Sequence, residues 1–349
     1  MAPRRSAAGW QFEPKWDGFR CLARHDGKGV TLTGRSGKDL GRYFPDVVTA
    51  LSSMPLDRVT LDGELVIPVG SVLSFEALQL RLHPAASRVA RLAAEAPALL
   101  IAFDLLRVAG RDIAGLPLVE RRGALEAVVA AAGTASVLRL SPATTRRSEA
   151  QRWLARAGGG ALDGVIAKRR DEPYRAGERT MLKIKCLRTA DCVVGGFRYA
   201  TGSRVVGSLL LGLHDDAGRL DHVGFTSALG TLDRVALTRQ LERLRGGVGF
   251  TGDAPGGPSR WSTARSAEWE PLRPRLVAEV QYDHVSGGRF RHGTAFVRWR
   301  PDKQPGDCTF DQLRREARPS RLLRTLGLDE LPDRREHDQR RQRHRRAAQ

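Results

Sequence analysis

The chain has 349 residues, with 58 Lys and Arg against 39 Asp and Glu, and a formal net charge of +19 at pH 7. This length predicts two or three domains with sizeable cores. A hydrophobic content of 41% indicates that the chain as a whole is not disordered. The sequence contains no apolar run long enough for a transmembrane helix, and its basic N-terminus lacks the apolar core of a signal peptide.

The charge and the cysteines indicate the class of partner and the compartment. A chain this basic predicts a polyanionic partner, with DNA or RNA as the default; a genomic bias towards Arg and Ala is the alternative explanation. The four cysteines form no C-x-x-C pair, which argues against a zinc site and a disulfide scaffold and is typical of a reducing cytoplasm. Only seven of the basic residues are Lys. Because the guanidinium of Arg does not act as a nucleophile, covalent chemistry is expected at the Lys positions.

The first part of the chain predicts a domain of the α+β class. Short β-rich runs predict strands over residues 20–23, 30–33, 59–67, 98–103, 164–167 and 182–185. Helical stretches are predicted over residues 73–82, 118–132 and 148–157. These elements do not alternate regularly, and no glycine-rich phosphate loop follows a strand, so an antiparallel-rich fold is favoured over a Rossmann sheet.

The second part predicts an OB-type β-barrel. Five strands are expected over residues 191–198, 205–213, 220–225, 277–282 and 294–300, with one helix over 232–245. The predicted domains are residues 1–187, 188–318 and 319–349. The last of these combines a short helix over 317–328 with a disordered basic tail, since residues 334–346 hold seven Arg against two acidic residues.

One motif near the start of the chain carries the strongest chemical signal. It has the form K-x-D-G-x-R, from Lys15 to Arg20, and is preceded by Glu13. A lysine amine can attack a phosphorus atom and form a reactive P–N bond once it has lost its proton, which neighbouring cations favour. The structural alternative is a surface Lys in a turn made by Asp17 and Gly18.

Further motifs follow in order along the chain. Each also has a structural explanation when taken singly: a hairpin turn, a core aromatic residue, a half-buried strand or a basic strand that faces DNA. The candidate site residues in these motifs are Arg35 in T-G-R-S-G-K, Glu64 in D-G-E, Phe103 in A-F-D, Asp163 and Lys168 in D-G-V-I-A-K, Arg179, Lys183 and Lys185 in R-T-M-L-K-I-K, and Arg298, Arg300, Asp302 and Lys303 in R-W-R-P-D-K.

Taken together, these motifs resemble those of the ATP-dependent DNA ligases over residues 12–315, and are most similar to the small actinobacterial C-type ligases. The resemblance implies an ATP-grasp-like nucleotidyltransferase (adenylation) domain followed by an OB-fold domain. It also implies an enzyme that seals nicks between a 5′-phosphate and a 3′-hydroxyl in three steps. ATP adenylates a lysine, AMP passes to the 5′-phosphate, and the 3′-hydroxyl displaces AMP.

The resemblance assigns a role to each residue around the nucleotide. Lys15 is the expected nucleophile, and Glu13 is expected at the adenine edge. Arg20 corresponds to the arginine that holds the ATP phosphates or AMP, and Arg35 to the one at the ribose or the nick phosphate. Glu64 is expected to accept a hydrogen bond from a ribose hydroxyl and to help hold the metal.

The remaining roles concern the base, the metal and the leaving group. The ring of Phe103 is expected to stack on adenine. Asp163 stands where the family more often has Glu, and would bind Mg²⁺, with Mn²⁺ as an alternative, either directly or through water. The cations at the end of the first domain, Arg179, Lys183 and Lys185, would hold the triphosphate. The closing motif of the OB domain contains Arg298, Arg300, Asp302 and Lys303, and its cations would orient pyrophosphate. Asp191 is a candidate hinge, and the role of Lys168 is left open.

The expected partners are nicked double-stranded DNA and a repair polymerase or primase, with no membrane association. A monomer in the cytoplasm, associated with the nucleoid, is expected. The fourteen residues before Lys15 do not contain the leader segment of the family, so a weakened part of the adenine pocket is expected. Two rival functions remain: an RNA ligase or capping guanylyltransferase, which share K-x-D-G, and a basic DNA-binding protein that has lost activity.

Overall fold

The computed structural model describes residues 9–56, 58–70, 72–133, 137–157, 162–230, 232–256 and 268–313. The contacts divide the chain into two compact units, with the boundary between Cys186 and Leu187. The predicted segment 319–349, with its helix and basic tail, lies outside the described residues. No helix in the described ranges is both long enough and apolar enough to cross a membrane.

In its described residues, the first unit has two main β-sheets with five α-helices around them. The larger sheet has the order β3-β2-β4-β7-β8, with β9 also paired to β7, and the smaller has the order β1-β10-β11. The elements are β1 (Trp10–Trp16), β2 (Phe19–His25), β3 (Val30–Gly34), α1 (Pro45–Ser52), β4 (Thr60–Val66), β5 (Pro68–Val69), β6 (Val72–Leu73), α2 (Phe75–Arg81), α3 (Ala86–Glu95), β7 (Leu99–Val108), β8 (Arg111–Asp112), α4 (Leu118–Ala132), β9 (Leu138–Leu140), α5 (Arg147–Ala155), β10 (Leu162–Arg169) and β11 (Leu182–Lys185).

The alternation of side chains along β4 separates the core of this unit from its functional face. Leu61 and Leu65 belong to the hydrophobic core that the larger sheet forms with α1, α2 and α4. Val66 belongs instead to a second core that also contains Trp16 and Val165 of the smaller sheet. Since successive strand residues point to opposite faces, the acidic residues at positions 62 and 64 lie on the side of the second core.

The second unit is a closed five-stranded barrel. Its strands pair in the order β12-β13-β14-β19-β16, and β16 pairs back to β12; only β14 and β19 are parallel. Its elements are β12 (Arg188–Tyr199), β13 (Val206–His214), β14 (Leu220–Ala228), α6 (Arg234–Glu242), β15 (Glu270–Pro271), β16 (Val277–Tyr282), β17 (Val285–Ser286), β18 (Arg289–Phe290) and β19 (Thr294–Trp299). This order of elements confirms the predicted α+β class with an OB-type barrel.

One local expectation differs from the structure. The helix predicted over residues 232–245 spans only Arg234–Glu242, where the side chain of Asp233 caps it by accepting from the backbone N–H groups of Val235 and Ala236. Gly18 lies in the bend that connects β1 to β2, directly after the strand that contains the motif lysine. Glycine is required there because a Cβ atom would lie 2.2 Å from the carbonyl oxygen of Leu65.

A histidine in the barrel predicts a loss of stability in acid. Burial lowers the pKa of His222 to about 4, and the charges of Arg289 and Arg198 act in the same direction. Both ring nitrogens are buried without a hydrogen-bond partner in the described part of the chain. Because its folded-state pKa lies below the unfolded value, the neutral form stabilises the fold, and this stabilisation is lost as the pH falls from 6.5 towards 4.

We therefore expect the wild type to lose stability relative to His222→Gln as the solution is acidified. Between pH 7.5 and 5 the difference in unfolding free energy should change by about 2 kcal/mol in favour of the variant. Urea denaturation of both proteins at the two pH values measures this change. An equal pH dependence in the two proteins would contradict the prediction.

Candidate active site

The central lysine lies on the smaller sheet of the first unit. Lys15 on β1 pairs with Gly164 on β10, which in turn pairs with Lys185 on β11. In the next row, Glu13 pairs with Ile166, which pairs with Lys183. Directly opposed residues of neighbouring strands project from the same face. These two rows therefore place one glutamate and three lysines of the predicted motifs on a single face of the sheet.

A β-bulge brings Asp163 beside the central lysine. Lys15 pairs with Gly164 and Trp16 with Leu162, so Asp163 is an extra residue between the two pairs. Its Oδ2 atom accepts a hydrogen bond from Lys15 Nζ and lies 3.5 Å from Lys185 Nζ. Its Oδ1 atom is buried without a hydrogen-bond partner in the part of the chain that the structure describes. An unsatisfied buried carboxylate oxygen of this kind is suited to a cation.

The larger sheet contributes a second carboxylate. Glu64 on β4 pairs with Arg20 on β2. Burial raises the pKa of Glu64 to about 8, and the positive charge of Lys15 is the strongest opposing influence. The raised pKa favours the protonated form of Glu64, and additional positive charge in the site favours its ionised form.

Arg20 is held from two sides. Its Nε and Nη2 atoms donate to the two carboxylate oxygens of Asp62 at 3.0 and 2.6 Å. Nη2 also donates to the hydroxyl of Tyr174 at 3.1 Å. The centre of the guanidinium lies 5.9 Å from the centroid of the Phe103 ring. Arg20 thus lies between the predicted base-stacking ring and a fixed, fully buried carboxylate.

Phe103 is bordered by a buried ion pair. Lys168 Nζ lies 2.7 Å from Glu13 Oε2, 3.3 Å from the carbonyl oxygen of Phe103 and 4.8 Å from the ring centroid. The other Glu13 oxygen accepts from Gln11 Nε2 at 2.8 Å. The adjacent Asp104 forms a two-bond ion pair with Arg121, in agreement with a structural role. Glu13, Lys168 and Phe103 together form a compact group with one flat face and two opposite charges.

Two further cations of the predicted motifs, Lys183 and Arg179, differ in their relation to the site. Burial lowers the pKa of Lys183, and the charges of Arg35, Lys15, Arg20 and Lys185 lower it further. Mutual repulsion of this kind indicates a shared position for an anion. Arg179 is exposed, and no hydrogen bond or ion pair joins it to the site in the ranges the structure describes. Its predicted contact with the nucleotide stays a prediction.

We expect Lys183→Ala and Lys185→Ala each to slow the formation of lysyl-AMP by about tenfold or more, because each would remove a positive charge that is expected to face the triphosphate. The unfolding transition should stay cooperative, since both side chains lie on β11, where Lys183 is exposed and Lys185 is only half-buried. Labelled ATP and thermal melting measure the two effects, with exposed Lys28→Ala as a control that keeps the wild-type rate. Loss of cooperative melting with an unchanged rate in the soluble fraction would point to a structural role.

The closing motif of the second unit forms its own network of charges. Asp191 accepts from Arg300 Nη1 at 2.9 and 3.0 Å and from Lys303 Nζ at 2.9 Å. Arg300 also donates to Asp302, whose pKa it lowers to about 2. Arg298 donates to Glu279 at 2.7 Å. The three cations of this motif are therefore held by carboxylates on β12 and β16 and, for Arg300, also by Asp302 within the motif.

Asp191 lies inside β12, where its backbone N–H and carbonyl both bond to the side chain of Gln312. The prediction that it acts as a hinge stays a prediction.

Three residues around the site have no role assigned from the sequence: Asp62, Lys168 and Tyr174. The rarity of Lys draws attention to Lys168, and Asp62 is part of D-G-E, whereas nothing in the sequence singles out Tyr174.

Comparison with known proteins identifies the class to which this site belongs. Residues 3–185 match the family model of the ATP dependent DNA ligase domain, and residues 202–303 match that of the ATP dependent DNA ligase C terminal region. The chain therefore belongs to the family of ATP-dependent DNA ligases, and its function is that of an ATP-dependent DNA ligase. This result confirms the predicted family, activity and two-part fold.

Particular relatives match most of the chain. It is 47% identical over 321 residues to DNA ligase C2 of Mycolicibacterium smegmatis, covering 87% of this chain and 90% of that one. It is 34% identical over 310 residues to the multifunctional non-homologous end joining DNA repair protein LigD of Mycobacterium tuberculosis, covering 86% of this chain and 37% of that one. A solved Lig E DNA ligase shares the fold with a TM-score of 0.53 and 18% identity, covering 85% of this chain and 94% of that one.

Proposed function

We propose that this ATP-dependent DNA ligase joins a 5′-phosphate to a 3′-hydroxyl at nicks in duplex DNA through a Lys15–AMP intermediate, and that it acts in DNA repair. The observation that carries the proposal is the position of Lys15 among Asp163, Lys185 and the charge-sensitive Glu64. A nucleophilic amine, cations for a triphosphate and carboxylates for a metal then occupy one site.

In the first step, the neutral amine of Lys15 attacks the α-phosphorus of ATP. A P–N bond forms, the P–O bond to pyrophosphate breaks, and the nitrogen releases one proton to water, which leaves a phosphoramidate that keeps one N–H. The charges of Lys183 and Lys185 favour the negative charge that develops on the leaving pyrophosphate. Arg35 and Arg20 add positive charge to the same region, since both act on Lys183.

A divalent metal fits the carboxylates of the site. Asp163 offers a buried oxygen that lacks a hydrogen-bond partner, and Glu64 becomes ionised more readily when positive charge is added. No cluster of three or more metal-binding side chains occurs among the described residues, so ATP oxygens and water would complete the coordination. When bound, Mg²⁺, with Mn²⁺ as an alternative, would neutralise phosphate charge and polarise the phosphoryl group.

The group around Phe103 offers a site for a purine base. The ring is a stacking surface, while Glu13 and Lys168 place an acceptor beside a donor, 2.7 Å apart. Because such a pair can meet the edge of either purine, it is the match to the ATP dependent DNA ligase domain that supports ATP as the nucleotide and argues against the capping guanylyltransferase.

The closing motif of the barrel would act on the pyrophosphate end of ATP. Arg300 and Lys303 would exchange the carboxylate of Asp191 for phosphate oxygens, and the barrel would turn away for the later steps on DNA. Arg298 and Asp302 would support this contact, and Arg179 would contact the nucleotide from the first unit. Asp191 is the proposed hinge.

The cellular setting is also a proposal. The net charge of +19 supports duplex DNA as the macromolecular partner. The similarity to LigD, which is described as a non-homologous end joining repair protein, supports a role in repair and a repair polymerase or primase as a partner. We propose that the protein acts as a monomer in the cytoplasm, associated with the nucleoid.

A label-transfer experiment tests this proposal. The protein is incubated with α-labelled ATP and Mg²⁺, separated on a denaturing gel, and then chased with nicked duplex. We expect label on the protein, transfer of that label to the 5′ end of the nick, and a sealed product. Label without sealing of deoxyribonucleotide nicks, but with sealing of ribonucleotide nicks, would favour the RNA ligase; absence of label would favour a protein that has lost activity.

The basic C-terminal tail predicts a salt-dependent contribution to DNA binding. Deletion of residues 332–349 removes the seven Arg between positions 334 and 346, so the slope of log K against log salt should fall by about 0.9 for each phosphate that the shortened protein no longer neutralises. Adenylation should be unchanged. Binding to nicked duplex across a salt series measures the slope for both forms. An unchanged slope would assign DNA binding to the two units alone.

A further inference from the structure

Three side chains next to the nucleotide site close a ring of hydrogen bonds. Arg20 donates to both oxygens of Asp62, and the hydroxyl of Tyr174 donates to Asp62 Oδ2 at 2.9 Å while it accepts from Arg20 Nη2 at 3.1 Å. We propose that Tyr174 is a positioning residue, which holds the guanidinium of Arg20 in the orientation that meets a phosphate of the nucleotide. This inference rests on the proposed role of Arg20 in the ligase reaction.

The ring of hydrogen bonds leaves one edge of the Arg20 guanidinium for a ligand. A guanidinium carries five N–H donors. The Nε hydrogen and both Nη2 hydrogens of Arg20 are used within the ring, and Nη1 makes no hydrogen bond within the ranges the structure describes. The Arg20 side chain is 34% exposed, whereas that of Asp62 is 0% exposed. Asp62 and Tyr174 are therefore positioned to direct the Nη1 edge towards the site.

The segment between β10 and β11, which contains Tyr174, is itself held in place by contacts with Ala114 and with Arg121 of α4. The backbone N–H of Tyr174 donates to the carbonyl of Ala114 at 2.9 Å. Arg121, anchored by its ion pair with Asp104, donates to the carbonyl of Glu172 at 3.2 Å and lies 6.0 Å from the Tyr174 ring centroid. Burial raises the pKa of Tyr174 to about 12, so its hydroxyl remains a donor throughout the neutral range.

Removal of the hydroxyl should loosen Arg20 and leave the fold intact. In Tyr174→Phe, Nη2 loses one acceptor and Asp62 loses one donor, while the ring still packs beside Arg121. We expect the rate of lysyl-AMP formation to fall about tenfold, the effect typical of one hydrogen bond to a charged group. The melting transition should stay cooperative.

A double-mutant cycle separates positioning from structural support. The single-turnover rate of lysyl-AMP formation, and its dependence on ATP concentration, are measured for the wild type, Tyr174→Phe, Arg20→Lys and the double variant. The ammonium group of lysine lacks the planar set of N–H donors with which a guanidinium contacts Asp62 and Tyr174 together. Tyr174→Phe should therefore change the rate less than about twofold in the Arg20→Lys background. Tyr199→Phe is the matched control, because it deletes a hydroxyl bonded to Glu242 in the barrel, and it should keep the wild-type rate.

Each other outcome counts against the inference. An unchanged rate in Tyr174→Phe would overturn it, and so would an equal loss in both backgrounds, because that loss would not act through Arg20. Loss of cooperative melting would assign Tyr174 to stability instead. If the wild type itself formed no lysyl-AMP, the proposed function would fail, and this inference with it.

Discussion

Replacing Lys15 with Ala should abolish lysyl-AMP formation while binding to nicked duplex stays within a few-fold of wild type. Lys15 Nζ is the amine that contacts Asp163, and Lys185, the other lysine near this carboxylate, lies across Gly164 on the far strand. DNA binding is expected to persist because it depends on many basic residues. Label on the protein after incubation with α-labelled ATP, and a binding titration with nicked DNA, measure the two quantities.

A matched variant separates the loss of the nucleophile from the loss of its charge. Lys15→Ala leaves the buried carboxylate of Asp163 with Lys185 as its remaining cation at 3.5 Å, so it also alters the electrostatics of the site. Lys15→Arg keeps a positive charge beside Asp163 but supplies no nucleophilic amine. We expect both variants to lack label and Lys28→Ala to keep it. Label that persists on Lys15→Arg would show that another residue carries AMP.

The elements that could be predicted from the sequence are those whose hydrophobic pattern is set by a single core. The helix over residues 118–132 coincides with α4, and each of the five strands predicted for the barrel overlaps an observed one. By contrast, β1 is not predicted as a strand, because five of its seven residues are buried and its pattern does not alternate. The helix α3 is also not predicted, although its sequence has a helical pattern, with Val89 and Ala93 buried and the intervening Arg91 exposed.

The site could be predicted in its residue types but not in its pairings. The motifs contain the lysines and carboxylates that the structure brings together around Lys15. The contact of Tyr174 with Asp62 joins residues 112 positions apart, and that of Lys168 with Phe103 spans 65 positions. Such contacts follow from the packing of two sheets and of the segment after β10, which local patterns do not encode. The position of Asp163 likewise depends on a bulge that only the strand register reveals.

Gly164→Ala should damage both the fold of the first unit and its chemistry. The φ angle of Gly164 is +152°, and a Cβ atom there would lie 2.2 Å from the carbonyl oxygen of Ile184 on β11. Backbone atoms cannot move aside as a flexible side chain can, so β10 and β11 must separate. We expect a loss of at least about 3 kcal/mol in unfolding free energy, from the combined effects of crowding and an unfavourable backbone conformation.

Gly164 lies on β10 between Lys15 on β1 and Lys185 on β11, and it pairs with both. The substitution Gly164→Ala should therefore also affect the chemistry. A shift of β11 by about 1 Å would move Lys185 away from Asp163 and slow lysyl-AMP formation about a hundredfold.

Gly123→Ala is the control, because Gly123 lies in α4 and a Cβ atom added there would meet nothing within 4 Å. It should stabilise the protein by about 0.5–1 kcal/mol and keep the wild-type rate. Urea denaturation and label transfer on the three proteins measure both effects. Wild-type stability in Gly164→Ala would mean that the bulge, and with it the placement of Asp163 beside Lys15, does not depend on this close approach of the strands.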